Sequence, residues 1–128
     1  MTDKDCYIMF RRICGFERFP NYVKWFHNLF VPKGWDAHHL LSSLKGHAKF
    51  TDALIHPFPH EFHLGTVEKN KPYYMVKHLN QSFMRFRSYC SLVLGVDLPI
   101  PPIEAETGLY DPHKVNGLIK LIAEKQNA

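Results

Sequence analysis

Residues 35–65 read WDAHHLLSSLKGHAKFTDALIHPFPHEFHLG, and the rest of the chain is arranged around them. Six of the nine histidines fall here, His38, His39, His47, His56, His60 and His63, in under a quarter of 128 residues. Imidazole is the commonest side-chain metal ligand and titrates near neutral pH, so this density, with a carboxylate at Asp52, points to metal chemistry. An apolar approach over 35–41 reads as a short strand, and 53–56 as a second. Between them SSLKGHAKFT is a polar loop, too irregular for a tight hairpin. Pro57 and Pro59 stop the second strand and launch a helix through His60 and His63. Residues three apart on a helix have Cβ atoms ~5–6 Å apart, so these two rings share a face and can reach one ion.

Outward from this core the periodicity turns helical. Residues 3–14, opening at Thr2 with Asp3 and Asp5 in the first turn, read as a helix, with a strand through 7–13 as the alternative. FPNYVKWFHNLF gives a second helix from near Pro20, with Tyr22, Val23, Phe26, Leu29 and Phe30 on its apolar face and His27 an ordinary polar residue. A long third helix opens at Pro72 and stops at Gly95, its core face carried by Val76, Leu79, Phe83, Phe86, Cys90 and Val93. Lys77, Gln81, Arg85 and Ser88 lie on another face, which reads first as solvated surface. Residues 96–111 are a proline-rich connection, extended across the surface or reaching a protein partner. Asp111 then caps a last helix over 112–126 that buries Val115, Leu118, Ile119 and Ile122.

Composition bounds the function. At 45% hydrophobic and 22% charged residues the chain is a folded globular protein of one domain, neither disordered nor built of repeats. No apolar run approaches the ~20 residues needed to cross a bilayer. MTDKDCY lacks the basic-then-apolar order of a signal peptide, which predicts a cytoplasmic protein without a membrane partner. Cys6, Cys14 and Cys90 are odd in number and widely spaced, and read as reduced thiols. The net charge of +4 and pI near 9.0 tilt the chain toward polyanions without specifying one.

Hydrolysis of a phosphodiester around one metal ion needs a neutral imidazole to take a proton from water, a divalent cation against the developing charge, and a polar group that orients the base. His38, His39, Asp52 and His63 offer all three. DAHHLL at 36–41, KFTDALIHPFP at 49–59 and HEFHLG at 60–65 resemble the HNH (ββα-metal, or His-Me finger) endonucleases, especially the small phage and prophage members linked to recombination. NYVKWFHNL at 21–29 resembles the helix that precedes the motif there. The likeness covers about a third of the chain.

The resemblance implies an α+β fold in which a ββα-metal motif, a two-stranded ribbon with a crossed helix at 35–65, is surrounded by about three longer helices. Helical support comes from 1–31 and 72–95. It implies that His38 is a metal ligand, His39 the general base, Asp52 the residue that orients the base or supports the metal, His63 the final helix ligand and His60 a candidate third ligand. The implied activity is hydrolysis of DNA with one Mg²⁺, Mn²⁺ or Zn²⁺ ion, in a bacterial or phage-infected cell. Lys45 and Lys49, in the loop that would face phosphates, and Arg85 are the candidate nucleic-acid contacts. His47 and His56 fit no required position. The alternatives are a nucleic-acid-binding module that keeps the ββα fold without catalysis and a small phage-type interaction protein.

Overall fold

Why the chain turns where it does is visible from its prolines and glycines. In the computed structural model, which describes residues 20–43 and 52–126, α1 (Pro20–Phe30) starts at a proline, whose missing N–H costs nothing in a first helical turn. Tyr22 and Phe26, one turn apart, are wholly buried. Gly34 reverses the chain with φ +85°, a left-handed conformation that glycine adopts without strain. The expected helix over 3–14 lies outside the described residues.

Strands β1 (Trp35–His39) and β2 (Ile55–Pro59) pair antiparallel, with Asp36 opposite Phe58 and His38 opposite His56. Three boundaries differ from the sequence expectation, the first being that β2 begins at Ile55 and not at 53. Strand β2 runs through Pro57 and Pro59 instead of stopping before them. The N–H of His60 donates to the Gly34 carbonyl at 2.9 Å. By the alternation of a strand, His56 and Phe58 then turn their N–H groups to β1, and both prolines occupy positions where no N–H is needed. Strand β1, in turn, ends at His39, because Leu40–Ser43 wind into a 3₁₀ turn. Leu40 and Leu41 are both buried. Successive strand residues point to opposite faces, so only a helical turn sends both into one core.

A short helix α2 (His60–Phe62) passes directly into a π turn at His63–Val67, and the long α3 (Lys71–Leu94) follows. Helix α3 carries Pro72 in its first turn and ends on Gly95 in the left-handed conformation, φ +66°. Its buried stripe is Met75, Leu79, Ser82, Phe83, Phe86 and Cys90. Val93, expected on that stripe, is exposed together with Leu92, since the helix outruns the core after Cys90. The connection 96–111 lies packed along the helices. Leu98, Leu109 and Tyr110 are buried, Arg87 donates to the carbonyls of Leu98 and Pro99, and Asn80 holds both the Gly108 carbonyl (2.8 Å) and the Tyr110 N–H (3.0 Å). Helix α4 (Pro112–Gln126) is capped by Asp111, whose Oδ1 accepts the N–H groups of His113 and Lys114.

The result is an α+β fold, a two-stranded antiparallel ribbon with four helices among the described residues. No described helix is long and apolar enough to cross a membrane. The core is aromatic where α1 meets α3, with Tyr22 edge-on to Phe86 at 5.2 Å. Phe83, fully buried, meets Tyr110 of the connection at 6.1 Å. Phe83→Ala should therefore lower unfolding stability by about 3–5 kcal/mol, the usual effect of emptying a buried phenyl site. The check is the urea midpoint against the parent protein.

Candidate metal centre

Alternation along β1 puts Asp36 and His38 on the ribbon face that carries His56 and Phe58. The helix that follows β2 brings His63 over that face. His63 Nε2 lies 3.0 Å from His38 Nδ1 and 2.8 Å from Glu68 Oε1, and His38 Nδ1 lies 3.6 Å from the same Glu68 oxygen. These three atoms form a group that could hold a metal ion. Ligands ~2.0–2.1 Å from a tetrahedral ion stand about 3.3–3.4 Å apart, so the spacings bracket what such an ion requires. Two imidazoles and one carboxylate, with a fourth position open, are a donor set of catalytic zinc sites.

Glu68 arrives there through the π turn. The Glu68 N–H donates to the His63 carbonyl, five residues back, at 2.9 Å. On a regular α-helix, residues five apart are rotated by about 140° and could not share an ion. The wider turn brings Glu68 back over His63; π turns of this kind occur often at functional sites. Lys71 Nζ holds the other Glu68 oxygen at 2.9 Å.

The electrostatics favour the forms a metal needs. Burial first, then His63, pulls the His38 imidazole down to about 4, against an opposing pull from Glu68. His38 is neutral at pH 7, as a ligand must be. Its Nε2 is buried with no hydrogen-bond partner among the described residues. Burial acts to raise the Glu68 carboxyl, but the hydrogen bond and charge of Lys71, with His38 and His63, outweigh it, and the net direction is downward. Asp36 is also held low, first by the hydrogen bond from His63, against burial, then by His60.

The other residues singled out in the sequence fall in separate places. His39 Nε2–H donates to Asp52 Oδ1 at 3.0 Å, at the point where β1 gives way to the 3₁₀ turn. Its ring is about one-third exposed. His60 stands outside the group that could hold an ion: its Nδ1 lies 2.7 Å from Asp36 Oδ2, and that group contains Glu68 as its third member. Arg85 is half-buried against the ribbon, its Nη1–H donating to His56 Nδ1 at 3.2 Å and its guanidinium lying 4.8 Å over Phe30. Lys45 and Lys49 lie outside the described residues. Sequence reasoning missed Asp36 and Glu68. Period-two alternation could have found Asp36, two residues before His38. Helical spacing could not have found Glu68.

His56 has a structural role. It is buried between Ser82 Oγ (3.3 Å), Arg85 and a stacked His78 ring at 3.9 Å. Burial, then His78 and Arg85, brings it down to about 3 from 6.5. Below pH ~6.5 the unfolded chain binds a proton here that the native state refuses, so stability falls with decreasing pH. The loss should begin near 6.5, continue toward 3, and run at up to about 1.4 kcal/mol per pH unit. Urea midpoints at pH 7 and 4.5 measure it, and a His56→Phe variant should show a shallower slope.

No protein-family model matches the chain, and no curated protein or solved structure matches it either.

Proposed function

We propose that the protein is a metal-dependent endonuclease of the HNH (ββα-metal) type that hydrolyses DNA phosphodiester bonds. The observation that carries the reading is the meeting of His38, His63 and Glu68 where an antiparallel ribbon passes into a short helix. The His39–Asp52 pair at the end of the same strand supports it. In this reading His38, His63 and Glu68 hold the ion, and Glu68 takes the place first given to His60. What a divalent ion supplies there is positive charge against the phosphoryl oxygens and the leaving 3′ oxygen.

His39 removes the proton from the attacking water. With Nε2–H given to Asp52, Nδ1 is the basic nitrogen, and the carboxylate both fixes that tautomer and stabilises the imidazolium that forms. The one-third exposure of the His39 ring suits a base that must meet water and a long polymer. Arg85, turned inward, supports the ribbon in this reading, and the excess of basic residues draws the polyanion by its overall field.

The test uses chelator-stripped protein and an end-labelled DNA duplex. Cleavage should appear on adding Mg²⁺, Mn²⁺ or Zn²⁺, stop with chelator, and leave 5′-phosphate and 3′-hydroxyl ends. Salt-sensitive DNA binding with no cleavage in any of these metals would move the assignment to a non-catalytic binding module.

A further inference from the structure

We propose that Asp36 is the positioning residue of the metal centre, holding His63 in the tautomer and orientation in which its Nε2 can serve as a ligand. The inference rests on reading His38, His63 and Glu68 as a metal site and deepens it. Asp36 Oδ2 accepts hydrogen bonds from His63 Nδ1–H at 2.9 Å and from His60 Nδ1–H at 2.7 Å. Placing the His63 proton on Nδ1 leaves the lone pair on Nε2, the atom that faces His38 Nδ1 and Glu68 Oε1. A half-turn of the ring about Cβ–Cγ would put Cδ2 in the place of Nδ1 and Cε1 in the place of Nε2, breaking the Asp36 bond and taking the ligand nitrogen out of the site. Metal-bound histidines commonly give their second N–H to a carboxylate, which fixes the ring and raises its basicity.

His60 then acts on Asp36 instead of on the ion. The i, i+3 spacing sets both rings on one side of the helix, so one carboxylate oxygen can take both N–H groups. His60 is 56% exposed and braces Asp36 from the solvent side. Geometry thus gives an ordered chain from solvent to site: His60, Asp36, His63, ligand atom. The competing reading is an ordinary ion pair that ties ribbon to helix. Partly exposed pairs of that sort contribute only ~0–1 kcal/mol, so removing one should leave the fold intact.

The experiment measures Zn²⁺ affinity by chelator competition and the visible spectrum of the Co²⁺ form, for the parent protein, Asp36→Asn, Asp36→Ala and His60→Ala. Melting of the metal-free proteins is recorded in parallel. Asp36→Ala should bind Zn²⁺ about 10–100-fold more weakly and alter the Co²⁺ bands, with metal-free melting unchanged. Asp36→Asn, which keeps an acceptor oxygen but no charge, should fall between, and His60→Ala should lose less than Asp36→Ala. Parent-like affinity and spectrum in both Asp36 variants would overturn the proposal while leaving the metal site standing. So would a loss that tracks lowered metal-free melting, or a His60→Ala loss exceeding that of Asp36→Ala, which would return His60 to the ligand set. Failure of the parent protein to bind either ion would overturn the metal site and this proposal together.

Discussion

His38→Ala and His63→Ala should each remove bound metal and DNA cleavage together. Each variant deletes one of the three atoms that stand 2.8–3.6 Å apart around the candidate ion position. Loss of a direct ligand should exceed the about 10–100-fold that loss of an outer hydrogen-bond partner costs. Glu68→Ala should follow them, and it separates the structure from the expectation drawn from helical spacing, which put His60 in that place. Chelator competition with Zn²⁺ gives the affinities, and far-ultraviolet circular dichroism of each variant guards against loss of fold. His38 needs that control most, being 4% exposed in the packed face of the ribbon. Undiminished affinity in His38→Ala and His63→Ala would end the assignment of the site.

The second large effect concerns the base, and it should split metal binding from catalysis. His39 is bound to Asp52 and lies outside the His38–His63–Glu68 group. His39→Ala should keep full metal stoichiometry and lower plasmid nicking by about 10²–10⁴-fold, the usual contribution of a positioned general base. Asp52→Ala should be less damaging, because it frees the ring to choose the wrong tautomer but leaves the ring in place. The nicking rates of both variants, with metal content determined on the same samples, make the check. Parent-like nicking by His39→Ala would remove it from the mechanism.

How much of this was legible in the chain differs from element to element. The three long described helices were, because their boundaries rest on local chemistry: Pro20 and Pro112 open two of them, Pro72 stands in the first turn of the third, and Gly95 and Asp111 mark an end and a cap. The short helix expected through His63, by contrast, stops at Phe62, where the π turn begins. The ribbon was legible in outline. Its ends were displaced because an edge strand tolerates proline at positions that do not bond its neighbour, and because Leu40 and Leu41 follow the core rather than the strand. His38 and His63, and separately His39 and Asp52, stood out by residue type and order, and the structure brings each pair together. Glu68 was hidden by a local departure from the α-helical period that no residue pattern announces. Arg85 looked like a surface cation on a helical wheel. Only tertiary packing against His56 and Phe30 turns it inward.

The central claim is that the ion held by His38, His63 and Glu68 serves phosphodiester hydrolysis. It is tested most directly by titrating Mg²⁺, Mn²⁺ or Zn²⁺ into chelator-stripped protein while following bound metal and supercoiled-plasmid nicking in the same samples. Nicking should be absent without metal, rise in step with occupancy of a single site in at least one of these ions, and disappear on adding chelator. Full occupancy of that site with no nicking under any of the three ions would contradict the claim.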